Sequence, residues 1–285
     1  MSHFAPNRAN LLVAAAALTA ALVPCGLAAQ DSPRWERSEA PVAVAPTVFH
    51  ATQSLNLPTA VTPGSGEFLF EISHRFVPAI SSDGTLFGLD GPVRYRLGLG
   101  YGITDALTVG VTRSNLDDNT ELGAKLRVLA TGGAVPFQVA VAGGVAWNKE
   151  VGGLQGSSTQ VHAELVLNAG LGRRVALGVI PALVANPLVR VDGEDAAFSV
   201  GFHGQVYLSE QVSLVGEWVA TEERPTLPHD PASLSVELET GGHFFRVGVT
   251  NSLRLNPAQH LAGAAQPFQG DELRLAFNIT RVLKF

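Results

Sequence analysis

From Glu67 to the C-terminus, apolar and polar residues alternate one by one, in run after run. In EFLFEISHRF (67–76), Phe68, Phe70, Ile72 and Phe76 share one face, while Glu67, Glu71, Ser73 and Arg75 share the other. In VRYRLGLGY (93–101), Val93, Tyr95, Leu97, Leu99 and Tyr101 alternate with Arg94, Arg96, Gly98 and Gly100. A period of two puts successive side chains on opposite faces of a strand, whereas a helix would scatter both sets around its circumference. The pattern recurs to the end, where Leu273, Leu275, Phe277, Ile279, Leu283 and Phe285 oppose Arg274, Asn278, Thr280 and Lys284. About twelve such runs can be read, each near the ~9–11 residues with which a tilted strand crosses a bilayer.

The connections alternate in length. Residues 102–106, 131–135, 170–174, 208–211 and 241–243 form short turns. Residues 77–92, 148–158, 185–196, 221–232 and 252–270 are long, with 115–120 a modest member of that set. Short turns at one rim and longer loops at the other is the layout of an outer-membrane barrel. The expected fold is all-β: a transmembrane antiparallel up-and-down β-barrel of about twelve strands, with short periplasmic turns and longer extracellular loops. An even strand number returns both ends of the barrel to the short-turn side.

A soluble sandwich or lipocalin-like barrel would turn the same apolar face inward. The polar face favours the membrane form. It carries Glu71, Arg75, Arg94, Arg96, Lys125, Arg127, Glu164 and Arg246 among many Gly and Ala residues. Opposite charges and small side chains suit a confined, hydrated lumen in which pairs neutralise one another. Hydrophobic residues make up 46 % of the chain and mean hydropathy is +0.21, yet no apolar run after residue 30 is long enough for a spanning helix. In lipid every backbone polar group needs a partner, so the sheet must close on itself.

The N-terminus is different. Arg8, the apolar run LLVAAAALTAALV (11–23) and the small residues before Gln30 form a cleavable secretory signal, residues 1–29. Cys25 is the only cysteine, so a mature chain cut there has no disulfide. Residues 30–65 are rich in Pro, Ser, Thr and Ala without periodicity and are expected to form a flexible periplasmic arm; a segment folded back into the pore is the second reading. The barrel spans 66–285. A net charge of -6 gives no basic surplus, so no nucleic-acid partner is expected.

The chain ends on an aromatic residue. Phe277, Ile279, Leu283 and Phe285 form a terminal strand that resembles the insertion signal of outer-membrane barrels, read by the barrel-assembly machinery. Phe285 is expected in the interfacial aromatic girdle, against outer-membrane lipid. Arg281 interrupts the outward series near one interface, and Arg113 does so near the other; a long cation there can snorkel.

Two stretches, LPTA…GEFLFEISHRF (57–76) and FGLDGPVRYRLGLGYGITDALTVGVTRS (87–114), followed by KLRVL (125–129), resemble an uncharacterised family of bacterial exported barrels grouped as a domain of unknown function. The resemblance implies an outer-membrane barrel over about 55–285 in a Gram-negative bacterium. It implies no activity and no catalytic residue.

Glu71 and Arg96, on adjacent antiparallel strands, are expected to pair, with Arg75 and Arg94 nearer the outer mouth and Glu121 and Lys125 a little round the wall. Such charges form either a selective constriction or a ladder of structural pairs. His74, His162, His203 and His243 lack metal-ligand spacing, and His74 has lipid-side parity. The acidic loops 116–121 and 191–196 are read as solvated tips rather than calcium sites. Ser73 and His74 point to opposite faces and cannot act as a nucleophile–base pair. No cofactor and no metal is expected. The reading is a non-enzymatic channel for small solutes, regulated by its own arm; a sealed partner-binding barrel is the alternative, and a membrane-embedded enzyme a distant third.

Overall fold

A computed structural model describes residues 48–149, 159–189 and 196–284. The expected signal (1–29), residues 30–47 of the arm, the acidic loop positions 191–195 and Phe285 lie outside the described residues.

Twelve strands follow one another in chain order: β1 (Glu67–Phe76), β2 (Val93–Gly102), β3 (Leu107–Ser114), β4 (Asn119–Ala130), β5 (Phe137–Trp147), β6 (Thr159–Leu171), β7 (Val175–Ala185), β8 (Ala196–Tyr207), β9 (Val212–Thr221), β10 (Ala232–Glu239), β11 (His243–Thr250) and β12 (Arg274–Lys284). Each pairs antiparallel with its sequence neighbours, and β1 closes on β12 with Glu67 opposite Lys284 and Arg75 opposite Ala276. The sheet is therefore a closed barrel with no free edge, the only sheet form whose backbone is satisfied in lipid. One short helix, α1 (Pro257–His260), lies in the connection between β11 and β12.

The apolar parity faces outward. Leu99 is 50 % exposed, Leu122 51 % and Leu183 56 %. The polar parity faces inward, where Arg75 and Arg246 are wholly buried. This is the inverse of a water-soluble globule, which rarely exposes contiguous apolar surface beyond a few hundred Å². Aromatic side chains gather near both rims of the outer surface. Phe68 meets Tyr101 at 4.9 Å between ring centroids near the short turns, and Phe202 stacks on Trp218 at 5.4 Å toward the long loops. His74 is on the outer face, 6.5 Å from the Phe277 ring. Arg113 forms an ion pair with Asp118 at the long-loop rim.

One expectation is overturned. Residues 48–61 of the arm are not a flexible periplasmic extension: Phe49, Leu55, Leu57 and Ala60 are each at most 1 % exposed. They form a hairpin inside the barrel. Ser54 N–H donates to Leu57 O (2.8 Å) and Thr59 N–H to Thr52 O (3.1 Å), so the tip is Ser54–Leu57. Both legs return to the short-turn rim. Tyr207, at the end of β8, donates to Val48 O; Gly66 N–H donates to Gly102 O; and Thr62 donates to Asp105 O in the β2–β3 turn. The segment lacks periodicity because the lumen surrounds it on all sides, leaving no solvated face to write a polar stripe.

Candidate functional site

The site is the lumen itself, filled from both ends. The hairpin rises from the short-turn rim. From the long-loop rim, the β11–β12 connection folds inward and carries α1, with Ala258, Gln259 and His260 buried.

Seven strands grip the hairpin through polar side chains, β2 by way of Arg96, which donates to Gln53 Oε1 (3.2 Å). On β9, Glu217 accepts the backbone N–H groups of Asn56 and Leu57 at one carboxylate oxygen (2.8 and 2.9 Å) and the Asn56 amide and Ser233 hydroxyl at the other. Arg75 on β1 donates to Asn56 Oδ1 (2.7 Å), and Asn278 on β12 donates to Leu55 O (2.7 Å). Lys125 on β4 donates to Thr52 O and Thr59 O, one on each leg. Asn168 on β6 accepts from Ala60 N–H. His203 on β8 lies 2.6 Å from the Ser54 hydroxyl and stacks on Phe49. Buried charges persist where partners bond them, and Glu217, Arg75 and Lys125 each bond backbone or amide groups of the hairpin.

The inward loop is held in the same way. Arg96 donates to Leu255 O, Ala258 N–H donates to Glu121 (3.4 Å), and Gln259 donates to Leu116 O (3.2 Å). Burial drives the His260 imidazole down to about 4, against the opposing pull of Glu217.

The lumen is not uniformly wet. On its β5–β9 side the inward positions include Val166, Ile180, Val184 and Val219, and these pack with Leu57 and Ala60 of the hairpin and Ala258 and Leu261 of the inward loop. The polar parity read from the sequence as a hydrated wall is thus a dry core along this side. Glycines on the wall make the fit: a Cβ at Gly201 would stand 3.0 Å from Leu57 Cδ1, and one at Gly178 would stand 1.8 Å from His203 Nε2.

The anticipated charged residues separate into groups. Glu71 and Arg96 form an ion pair, with Ser73 also donating to Glu71. Arg246 pairs with Glu237 (2.6 Å), a partner the sequence reading did not name. Glu164 faces His162 Nδ1 at 3.0 Å, while Glu121 faces His162 Nε2 at 3.1 Å. Arg75 does not open toward an outer mouth; it is buried under the hairpin tip. Arg94 lies opposite it in register, half-buried and without an ion pair among the described residues. Arg127 stands apart, where the β4–β5 register shifts, donating to Asp105 O in the short turn. Glu217, the residue with most contacts to the hairpin, was not singled out from sequence; its signal was a lone carboxylate on the inward parity of SLVGEWVA (213–220). Among the described residues no cluster has the composition of a metal site.

The profile of the family described as "Membrane bound beta barrel domain (DUF5777)" matches residues 49–283. The chain belongs to this family. The match begins inside the hairpin, so the lumen segment is part of the family domain. The outward apolar face is accordingly the membrane face of a membrane-bound barrel. No curated protein matches the chain. Among solved structures it is similar to an outer membrane channel from Pseudomonas putida F1, at 13 % identity over 79 % of this chain and 98 % of that one, with a TM-score of 0.49. It is also similar to the NanC porin (7 % identity, 76 % and 99 % covered, TM-score 0.47). The outer membrane phospholipase A from Escherichia coli is a further similar structure (12 %, 80 % and 93 %, 0.36).

Proposed function

We propose that this chain is a non-enzymatic outer-membrane channel for small solutes, closed by its own lumen hairpin. Residues 1–29 direct export and are removed. The terminal strand bearing Phe277, Ile279, Leu283 and Phe285 is handed to the barrel-assembly machinery, and the finished wall is solvated by outer-membrane lipid. The observation that carries the reading is that the lumen is closed by a segment that precedes β1 and contributes no strand to the wall. Its withdrawal breaks no strand pairing, and it frees the part of the lumen below the inward loop, a space bordered by Lys125, Glu164 and the Glu71–Arg96 pair. Charged linings of this kind select among solutes in membrane pores.

A second reading, a sealed barrel that engages a partner, is favoured by the dry packing of Leu57 against Ile180 and Val219. Planar-bilayer recording separates the two. The full chain is expected to be quiet, and a variant lacking residues 48–61 to conduct in discrete steps. Heat-modifiable gel mobility identifies folded barrels; Leu57→Asp serves as the second variant if the deletion does not fold. Silence from folded barrels of both variants would remove the channel reading.

A further inference from the structure

At one level of the wall the side chains disappear. Gly100 pairs with Gly110, Gly110 with Gly123, and Gly123 with Gly144, so β2, β3, β4 and β5 present a continuous row of bare backbone to the lumen. A cavity of about 170 Å³ lies against this row, closed on its other side by Gln53 and Asn56 of the hairpin and Pro257 of α1. Such a volume holds on the order of ten waters.

The polar atoms around it are incompletely used. Thr108 (8 % exposed) and Glu164 (5 % exposed) line the cavity, as does Thr112. Thr108 Oγ1, Thr112 Oγ1 and Glu164 Oε2 have no hydrogen-bond partner. Buried polar atoms in folded proteins are nearly always paired, so these three are free to bond an occupant of the cavity. The charged groups restrict its chemistry. Each already has a partner: Glu71 pairs with Arg96, Glu121 and Glu164 flank His162, and Lys125 donates to two hairpin carbonyls, so a charged guest would lose its hydration without gaining a free counter-charge. A hydroxyl group both donates and accepts, which is what two threonine hydroxyls and one carboxylate oxygen require. The glycine row offers flat backbone against which carbon-bound hydrogens pack.

We propose that this cavity binds a small uncharged polyol. The inference rests on the reading of the barrel as a solute channel, and it names the class of solute. Because hairpin and wall each form one side of the cavity, an occupant touches both and favours the closed arrangement.

The test uses the full-length protein in detergent micelles, erythritol as probe and zwitterionic betaine as control, with binding read by saturation-transfer NMR. Saturable erythritol binding is expected, with no betaine binding. The near-isosteric double variant Thr108→Val/Thr112→Val is expected to lose at least tenfold in affinity. Folding is checked by heat-modifiable mobility, and Glu164→Gln replaces the double variant if that does not fold. Absence of saturable binding, or unchanged affinity in a folded variant, overturns the proposal. The two readings fail separately: conductance of the hairpin-deleted barrel without erythritol binding removes the polyol site alone, whereas binding without conductance removes the channel.

Discussion

Glu217 and Asn56 are joined by two hydrogen bonds, backbone N–H to one carboxylate oxygen at 2.8 Å and side-chain amide to the other at 2.9 Å. A wall strand thereby fixes the tip of a segment 161 positions earlier in the chain. The same carboxylate also holds Leu57 N–H and the Ser233 hydroxyl.

Replacing Glu217 by Ala therefore strands two buried backbone donors, each costing about 1–3 kcal/mol when unpaired. The hairpin should loosen while the wall persists. Hydrogen exchange at Asn56 and Leu57 is expected to accelerate at least about tenfold, equivalent to ~1.4 kcal/mol. Amides in β1 to β12 should remain protected. Equal loss of protection in the wall would show that hairpin and barrel unfold as one unit.

The strands were legible because each has one face in lipid and one in the lumen, and the two environments demand opposite chemistries at every second residue. The Glu71–Arg96 pair followed from that, since neighbouring antiparallel strands bring near-opposite inward positions together. The hairpin was illegible for the converse reason. Leu57 packs on the dry side of the lumen, whereas Ser54 and Asn56 face polar wall groups, so composition suggests a loop although the environment is a core. The dry side of the lumen did leave a trace. VALGVIPALVA (175–185) is apolar on both parities, as a strand buried on both faces should be.

Arg96 neutralises Glu71, caps Leu255 O and donates to Gln53, and both Glu71 and Leu255 are buried. Removing one member of a buried ion pair costs about 3–5 kcal/mol. Arg96→Ala should lower the temperature at which the unboiled gel band converts to the denatured one. The paired change Arg96→Met/Glu71→Leu should recover much of the loss, because no isolated charge remains.

Gly178→Ala tests the fit of the wall to the hairpin. The new Cβ would stand 1.8 Å from His203 Nε2, so the ring must leave its place between Ser54 and Phe49. Overpacking of this kind costs about 1–3 kcal/mol. Crystal or solution structures of the variant should show a rotated His203 and a displaced Phe49. An unmoved ring would contradict the packing described for the lumen.

The inward loop should respond to acid. His260 has an ordinary value of 6.5 and is held near 4 by burial in the lumen. A lowered value means that the expelled loop takes up a proton before the packed one does. Docking is then fully stable above pH 6.5 and weakens as pH falls from 6.5 toward 4, by about 3 kcal/mol in all. Exchange at residues 256–262, corrected for intrinsic pH dependence, should rise between pH 7 and pH 5. In His260→Gln that rise should flatten.

The outer face makes the opposite demand. Leu122→Arg places a cation on the membrane surface of β4, at a cost of about 2–4 kcal/mol near the bilayer midplane. Refolding yield into lipid vesicles should fall, while Lys284→Arg at the rim should leave it unchanged.

Only residues 62–66 separate the end of the hairpin from Glu67, the first residue of the wall, and they are themselves pinned to the turn at 102–106. A stopper on so short a leash never leaves the neighbourhood of its seat. Once pulled out, it samples the mouth at an effective concentration in the millimolar range, on a short flexible tether. On the channel reading proposed above, opening is a brief excursion that lasts as long as something holds the stopper out, and closing requires no second molecule.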